Sequence, residues 1–291
     1  MTDVTGVFEG GGVKGIALAG AAAAAMDRGY RITSAVGTSA GALVASLVVA
    51  GYDSSALRDI VGRMPWARLP DRRPTARIPF VGPHLAMVGS LGVSRGRRLE
   101  RETIRLLSQR GVRTFGDLPE GALRVVATDL SHGRGVVLPD DLAAFGIDPM
   151  RFPVARAVRA SSAVPFFFEP VGIRSPSTDE QVLLVDGALA ARDPIQLVVS
   201  GTPTIGFRLK ASDDAHDHQL IRGPISLASS VMVACVTARE FLPLLCRDLG
   251  CTIAVQVDWP PLDFDLDGRE AVAMFDRAHR AALDQLGTTA V

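Results

Sequence analysis

A mainly parallel β-sheet with helices on both faces is the fold the sequence predicts. Short apolar runs rich in β-branched residues alternate with longer helix-forming runs, as in α/β proteins. The first two of these apolar runs each end in a glycine-rich turn that leads straight into a helix-forming run. A chain of 291 residues, 47% hydrophobic, can also bury a large core, so residues 1–291 are expected to form one domain. The expected exception is a basic, loop-rich insert at about 63–98.

Val4–Phe8 reads as the first strand, followed by Glu9-Gly10-Gly11-Gly12-Val13-Lys14-Gly15 and a small-residue helix over Ile16–Met26. Gly10, Gly12 and Gly15 satisfy Gly-x-Gly-x-x-Gly after a strand, the pattern of a dinucleotide site. That site needs an acidic residue near the end of the second strand, and here the strand ends in Ser34-Ala35-Val36-Gly37. A phosphate loop would carry Lys and Ser/Thr after Gly15, where Ile16 stands. Two uses of the loop remain: a tight strand–helix turn without a ligand, or a set of N–H donors for one oxyanion.

Ile32–Val36 is the second strand, and it enters Gly37-Thr38-Ser39-Ala40-Gly41 before the apolar helix that follows. Strand, Gly-x-Ser-x-Gly and helix in that order is the setting of a nucleophile elbow. Gly37 and Gly41 let the two backbones approach, and Ser39 falls at a helix N-terminus, which favours a developing anion. The 21 residues Ile32–Tyr52 carry no charge and are long enough to span a bilayer, but the Gly-x-Ser-x-Gly turn interrupts them.

Asp53–Met64 reads as a helix. Pro65, Pro70, Pro74, Pro79 and Pro83 then break the pattern among Trp66, Phe80 and many arginines. Eleven arginines between Arg63 and Arg110 face only Asp71, Glu100 and Glu102. A cationic loop with apolar tips suits an anionic lipid surface or a cover over a site, and an ordinary surface excursion accounts for it equally well. Gly92-Val93-Ser94-Arg95-Gly96 repeats Gly-x-Ser-x-Gly, but a polar helix start follows it, so Ser94 is expected to be a helix cap. In the helix over Arg97–Gln109, Leu99, Ile104, Leu106 and Leu107 are expected to face inward.

Leu123–Thr128 and Val136–Leu138 read as strands around a Ser131-His132-Gly133 turn. A short helix over Phe152–Ala160 leads into Ala160-Ser161-Ser162-Ala163-Val164-Pro165 and three phenylalanines, which suit an acyl-chain wall or the core. Gln181–Val185 is a buried strand that delivers Asp186-Gly187-Ala188 at its C-terminal end, where ligands gather in open α/β sheets. Asp267-Gly268, in an acidic loop, is the weaker competitor. Strands over Thr204–Phe207 and Ile253–Val257, and helices over Leu227–Cys246 and Gly268–Leu286, complete the alternation.

Thirty-one basic residues balance 31 acidic ones, so nothing general points to nucleic acid. Cys235, Cys246 and Cys251 have no metal-ligand spacing and read as reduced thiols. No basic leader with an apolar run opens the chain, and a cytoplasmic location is the expectation. A serine nucleophile needs a base. Either Asp186 takes the Ser39 proton directly, or His216, His218 or His279 completes a triad. His84 and His132 sit in loop-like runs before Asp186.

Gly10–Gly15, Gly37–Gly41 and Asp186–Ala188, in this order, resemble the patatin-like phospholipases, as does Ala160–Pro165. The likeness extends from Val7 to about Pro194. It implies a three-layer α/β/α fold, no cofactor, and hydrolysis of lipid acyl esters by a Ser–Asp dyad. Ser39 would be the nucleophile and Asp186 the base. Gly10, Gly11, Gly12 and the N–H of Ala40 would form the oxyanion hole, with Gly37 and Gly41 as elbow glycines. The implied partner is a lipid or acyl-ester substrate, met in some cases at a membrane surface. Acyl transfer by the same dyad, or lipid binding without catalysis, are the alternatives. Ala188 stands where the family also has Gly, and Asp193 where it often has Asn.

Overall fold

The computed structural model describes residues 1–72, 91–176, 179–191, 194–198, 203–210 and 251–288. His84, His216, His218, Cys235, Cys246, Asp193, the helix expected over Leu227–Cys246 and the centre of the arginine-rich insert lie outside them.

Ten strands are described: β1 (Thr2–Phe8), β2 (Tyr30–Thr38), β3 (Gly92–Ser94), β4 (Leu123–Asp129), β5 (Arg134–Leu138), β6 (Phe166–Phe168), β7 (Val171–Arg174), β8 (Gln181–Asp186), β9 (Thr204–Lys210) and β10 (Cys251–Gln256). The central sheet runs β10-β9-β1-β2-β4-β8-β7, with β5 also paired to β4. From β10 to β4 the neighbours are parallel, and β5, β8 and β7 join in antiparallel fashion. The result is a mixed α/β fold around a mostly parallel sheet. In β1, β4 and β8 burial runs nearly continuously along the strand rather than alternating, because both faces of the sheet are covered.

The helices are α1 (Gly15–Asp27), α2 (Ala40–Val49), α3 (Ser54–Arg63), α4 (Arg97–Ser108), α5 (Val154–Ser161), α6 (Ala188–Ala191) and α7 (Gly268–Thr288). Every residue of α1 from Gly15 to Ala25 is buried, because the helix is held between the sheet, α3 and α7. Its run of alanines lets α7 approach closely. α3 starts where Asp53 accepts the N–H of Ala56, an N-cap worth about 1 kcal/mol. α2 is only ten residues long, and among the described residues no helix is long and apolar enough to cross a membrane.

Four sequence expectations change. β8 runs antiparallel to β4, with Asp186 opposite Ala127, so Asp186 reaches the site from the opposite direction to the parallel strands. Ser94 caps nothing: it lies in β3, paired with β6, and α4 begins after Gly96 in the left-handed conformation. Pairing with the Phe166–Phe168 strand decided this, and no local signal announces such a long-range pair. Ile104 is exposed, and Thr103 takes the inward place by bonding back to the Leu99 carbonyl. Trp66 and Leu69, at the start of the insert, are buried core residues, and the Trp66 indole donates to the Val61 carbonyl at 2.9 Å.

Candidate active site

The glycine-rich loop follows β1 and is held from beneath. Phe8 stacks on Phe207 of β9 with ring centroids 4.6 Å apart. The next residue, Glu9, is buried and accepts the Leu209 N–H at 2.7 Å. The loop is therefore pinned to β9 on both sides of its first peptide. Gly12 has φ +58 and lies so close to the Pro261 carbonyl that a side chain would strike that oxygen. Gly12→Ala is accordingly expected to lower thermal stability, measured by a melting curve.

The elbow follows β2. Gly41 packs against the carbonyls of Phe8 and Glu9, and Gly37 against the backbone of Gly41 and Ala42, so neither tolerates a Cβ. Ser39 itself has φ 53 and ψ −124, a strained conformation for an L-residue and one that recurs at functional sites. Its N–H donates to Ser161 Oγ at 2.8 Å. Its hydroxyl donates to Asp186 Oδ2 at 2.6 Å, across 147 residues of sequence.

Asp186 is held at every polar atom. Oδ1 accepts the Ala188 N–H at 2.8 Å, the main-chain oxygen accepts the Thr128 hydroxyl at 2.9 Å, and the main-chain N–H donates to the Ala163 carbonyl at 2.9 Å. The Ala188 donor is a backbone group, which Ala supplies as well as Gly. Burial pushes the carboxyl up from 3.8 to about 6, against the hydrogen bonds from Ser39 and Ala188 that favour its ionised form. A carboxyl titrating near neutrality beside a hydroxyl has the properties of a general base.

Of the predicted oxyanion groups, Gly10, Gly12 and Ala40 fall beside Ser39, while Gly11 packs against Leu209 and Lys14. Gly10 abuts the Thr38 and Ser39 side chains, and Gly12 and Ala40 line a cavity with Ser39. Among the described residues the N–H groups of Gly11, Gly12 and Ala40 have no protein acceptor. The cavity, about 80 Å³, runs among α1, α2 and α3 and is walled by Leu43, Leu47, Leu57, Val61, Trp66 and Phe168 together with other apolar side chains. Of the three phenylalanines, Phe168 faces it.

His279 bonds Asp27 at 2.7 Å and stacks on Phe275, and His132 bonds Asp129 at 2.7 Å. Neither described histidine bonds Ser39 or Asp186. Among the described residues no three of His, Cys, Asp and Glu gather as a metal-binding group. Sequence reading gave no role to Glu9, Trp66, Thr128 or Ser161. Glu9 alone had a local signal, its place directly before the glycines.

A family model described as patatin-like phospholipase matches residues 6–199. The Bacillus subtilis protein YqhO, described as uncharacterized, is 34% identical over 284 residues, 95% of this chain and 96% of that protein. Among solved structures, VipD from Legionella pneumophila superposes over 98% of this chain and 67% of its own, with TM-score 0.58 and 15% identity. The type III effector ExoU superposes over 98% of this chain with TM-score 0.50 and 14% identity. ExoU solved with SpcU from Pseudomonas aeruginosa gives 99%, 0.51 and 16%. This chain spans about half the length of the ExoU chains, at 53% and 52%. At such identities the likeness is one of fold, the patatin fold. The family match and the full-length relative together establish that the chain belongs to the patatin-like phospholipase family.

Proposed function

We propose that the protein is a serine hydrolase of lipid acyl esters working through a Ser39–Asp186 dyad. The observation that carries this reading is the 2.6 Å contact between the two side chains at the wall of an apolar cavity. The apolar lining of that cavity suits the methylenes of an acyl chain, each worth about 0.8 kcal/mol when buried. The acyl carbonyl carbon then lies beside Ser39 Oγ.

As Ser39 attacks, its proton passes to Asp186 Oδ2, and the carbonyl oxygen becomes an oxyanion received by the N–H groups of Gly11, Gly12 and Ala40. The tetrahedral intermediate collapses to acyl-Ser39, and Asp186 returns the proton to the departing alcohol. Water then attacks the acyl-serine and gives its proton to Asp186, and the second tetrahedral intermediate collapses to release the fatty acid as Asp186 returns that proton to Ser39 Oγ. The strained, preset Ser39 backbone spares the reaction any reorganisation at that step.

A panel of acyl esters, from acetyl nitrophenyl ester to long-chain phospholipids, tests the substrate class. Hydrolysis that improves with chain length and is blocked by a fluorophosphonate adduct on Ser39 is the expected result. Binding without turnover or adduct would leave a passive lipid carrier instead. Leu47→Trp, which fills the cavity, is expected to lower kcat/KM for long-chain esters about 10-fold or more while sparing the acetyl ester.

A further inference from the structure

The segment Ala160-Ser161-Ser162-Ala163 has no part in the steps above, yet bonds from both reacting motifs end on it. The N–H of Ser39 donates to Ser161 Oγ at 2.8 Å. The Ser161 hydroxyl donates its own proton to the Val126 carbonyl of β4. A serine hydroxyl has one proton, so with that proton on Val126 its oxygen serves as acceptor for the nucleophile's backbone. From the other motif, Gly187 N–H donates to the Ser161 carbonyl at 3.1 Å and Asp186 N–H to the Ala163 carbonyl at 2.9 Å. Ser161 is fully buried and lies outside the cavity lining, so it touches no substrate.

Ser39 needs such a support. Its φ of 53 is unfavourable for any residue with a Cβ, and a side chain held there persists only when its surroundings over-determine it. Glycines at 37 and 41 make room for the turn, but they supply no bond that holds Ser39 in it. We propose that Ser161 is a positioning residue, clamping the Ser39 backbone to β4 and to the Asp186–Gly187 turn. In this role it sets the contact between Ser39 Oγ and Asp186 Oδ2. The inference rests on the dyad reading. It also implies that the Ser39 N–H is committed to Ser161, which leaves the oxyanion to Gly11, Gly12 and Ala40.

The test is a kinetic series on the full chain with Ser161→Ala, Ser161→Cys and Ser161→Thr, and Ser39→Ala alongside. Removing the acceptor in Ser161→Ala is expected to lower kcat on the order of 100-fold, with KM within about twofold. The rate of fluorophosphonate labelling should fall in parallel. Ser161→Thr, which keeps the hydroxyl, should restore most of the rate. The acid limb of kcat/KM should move to higher pH in Ser161→Ala, because a loosened Ser39 no longer favours the Asp186 carboxylate. A merely structural serine would not move that limb. Ser161→Cys keeps the volume with a poor acceptor and decides the question if Ser161→Ala does not fold. A folded Ala or Cys variant with kcat within about threefold of wild type and an unchanged pH profile overturns the proposal. Turnover surviving in Ser39→Ala would instead overturn the dyad reading itself.

Discussion

Ser39→Ala is expected to abolish acyl-ester hydrolysis and fluorophosphonate labelling while the protein stays folded. The hydroxyl is the only atom lost, and the residue is buried at 4% exposure, so packing barely changes. Alanine meets the same backbone strain at φ 53 as serine, so the elbow keeps its shape. Chemistry suffers instead: without Oγ no acyl-enzyme forms, and only the oxyanion donors and the cavity act on the ester. Loss of a nucleophile costs roughly 10³-fold or more, since a catalytic unit fails as a whole when one member goes. Circular dichroism and a melting curve establish the fold, and product formation from a long-chain ester establishes the rate. Turnover within about tenfold of wild type would remove Ser39 from the scheme.

Asp186→Asn separates function from stability in opposite directions. The carboxyl is pushed up to about 6 chiefly by burial, well above its ordinary 3.8. The folded protein therefore prefers the neutral acid. That preference stabilises fully below pH about 4 and is lost as pH rises through about 6. At neutral pH the ionised, buried Asp186 costs about 3 kcal/mol, taking about 1.4 kcal/mol per pKa unit. Asparagine is neutral and isosteric and can still accept the Ala188 N–H.

Asp186→Asn should therefore melt several degrees higher than wild type at pH 8 and at nearly the same temperature at pH 4. Its turnover should fall by roughly 10³-fold, because an amide cannot take the Ser39 proton. In the wild type, kcat/KM should rise with pH through about 6 as the base ionises, then level off. A variant that is inactive yet no more stable at pH 8 would mean that Asp186 is better solvated than its surroundings imply. Active Asp186→Asn would return the base role to a histidine, and His216→Ala and His218→Ala would then be the next variants to assay.

The site divides cleanly into what was legible and what was not. Gly10–Gly12, Gly37–Gly41 and Asp186 were legible because each lies at the end of an apolar strand, where spacing and residue type carry a local meaning. Ser161 and Thr128 were not, since serines and threonines near helix ends or in strands are commonplace. Only the fold brings Ser161 to the Ser39 N–H across 122 residues, and Thr128 to the Asp186 carbonyl across 58. Ser94 shows the converse: the same Gly-x-Ser-x-Gly pattern sits in a buried strand with its hydroxyl unpartnered.

By itself, then, the sequence determined the alternation of strands and helices, the two glycine turns and which serine and carboxyl stand at strand ends, because these depend on periodicity and short-range backbone geometry. Tertiary structure alone decided that β8 enters antiparallel, that Trp66 closes over an apolar cavity, and that burial lifts Asp186 toward neutrality. Those outcomes depend on which distant residues displace water from one another, and a linear string of residues contains no record of that.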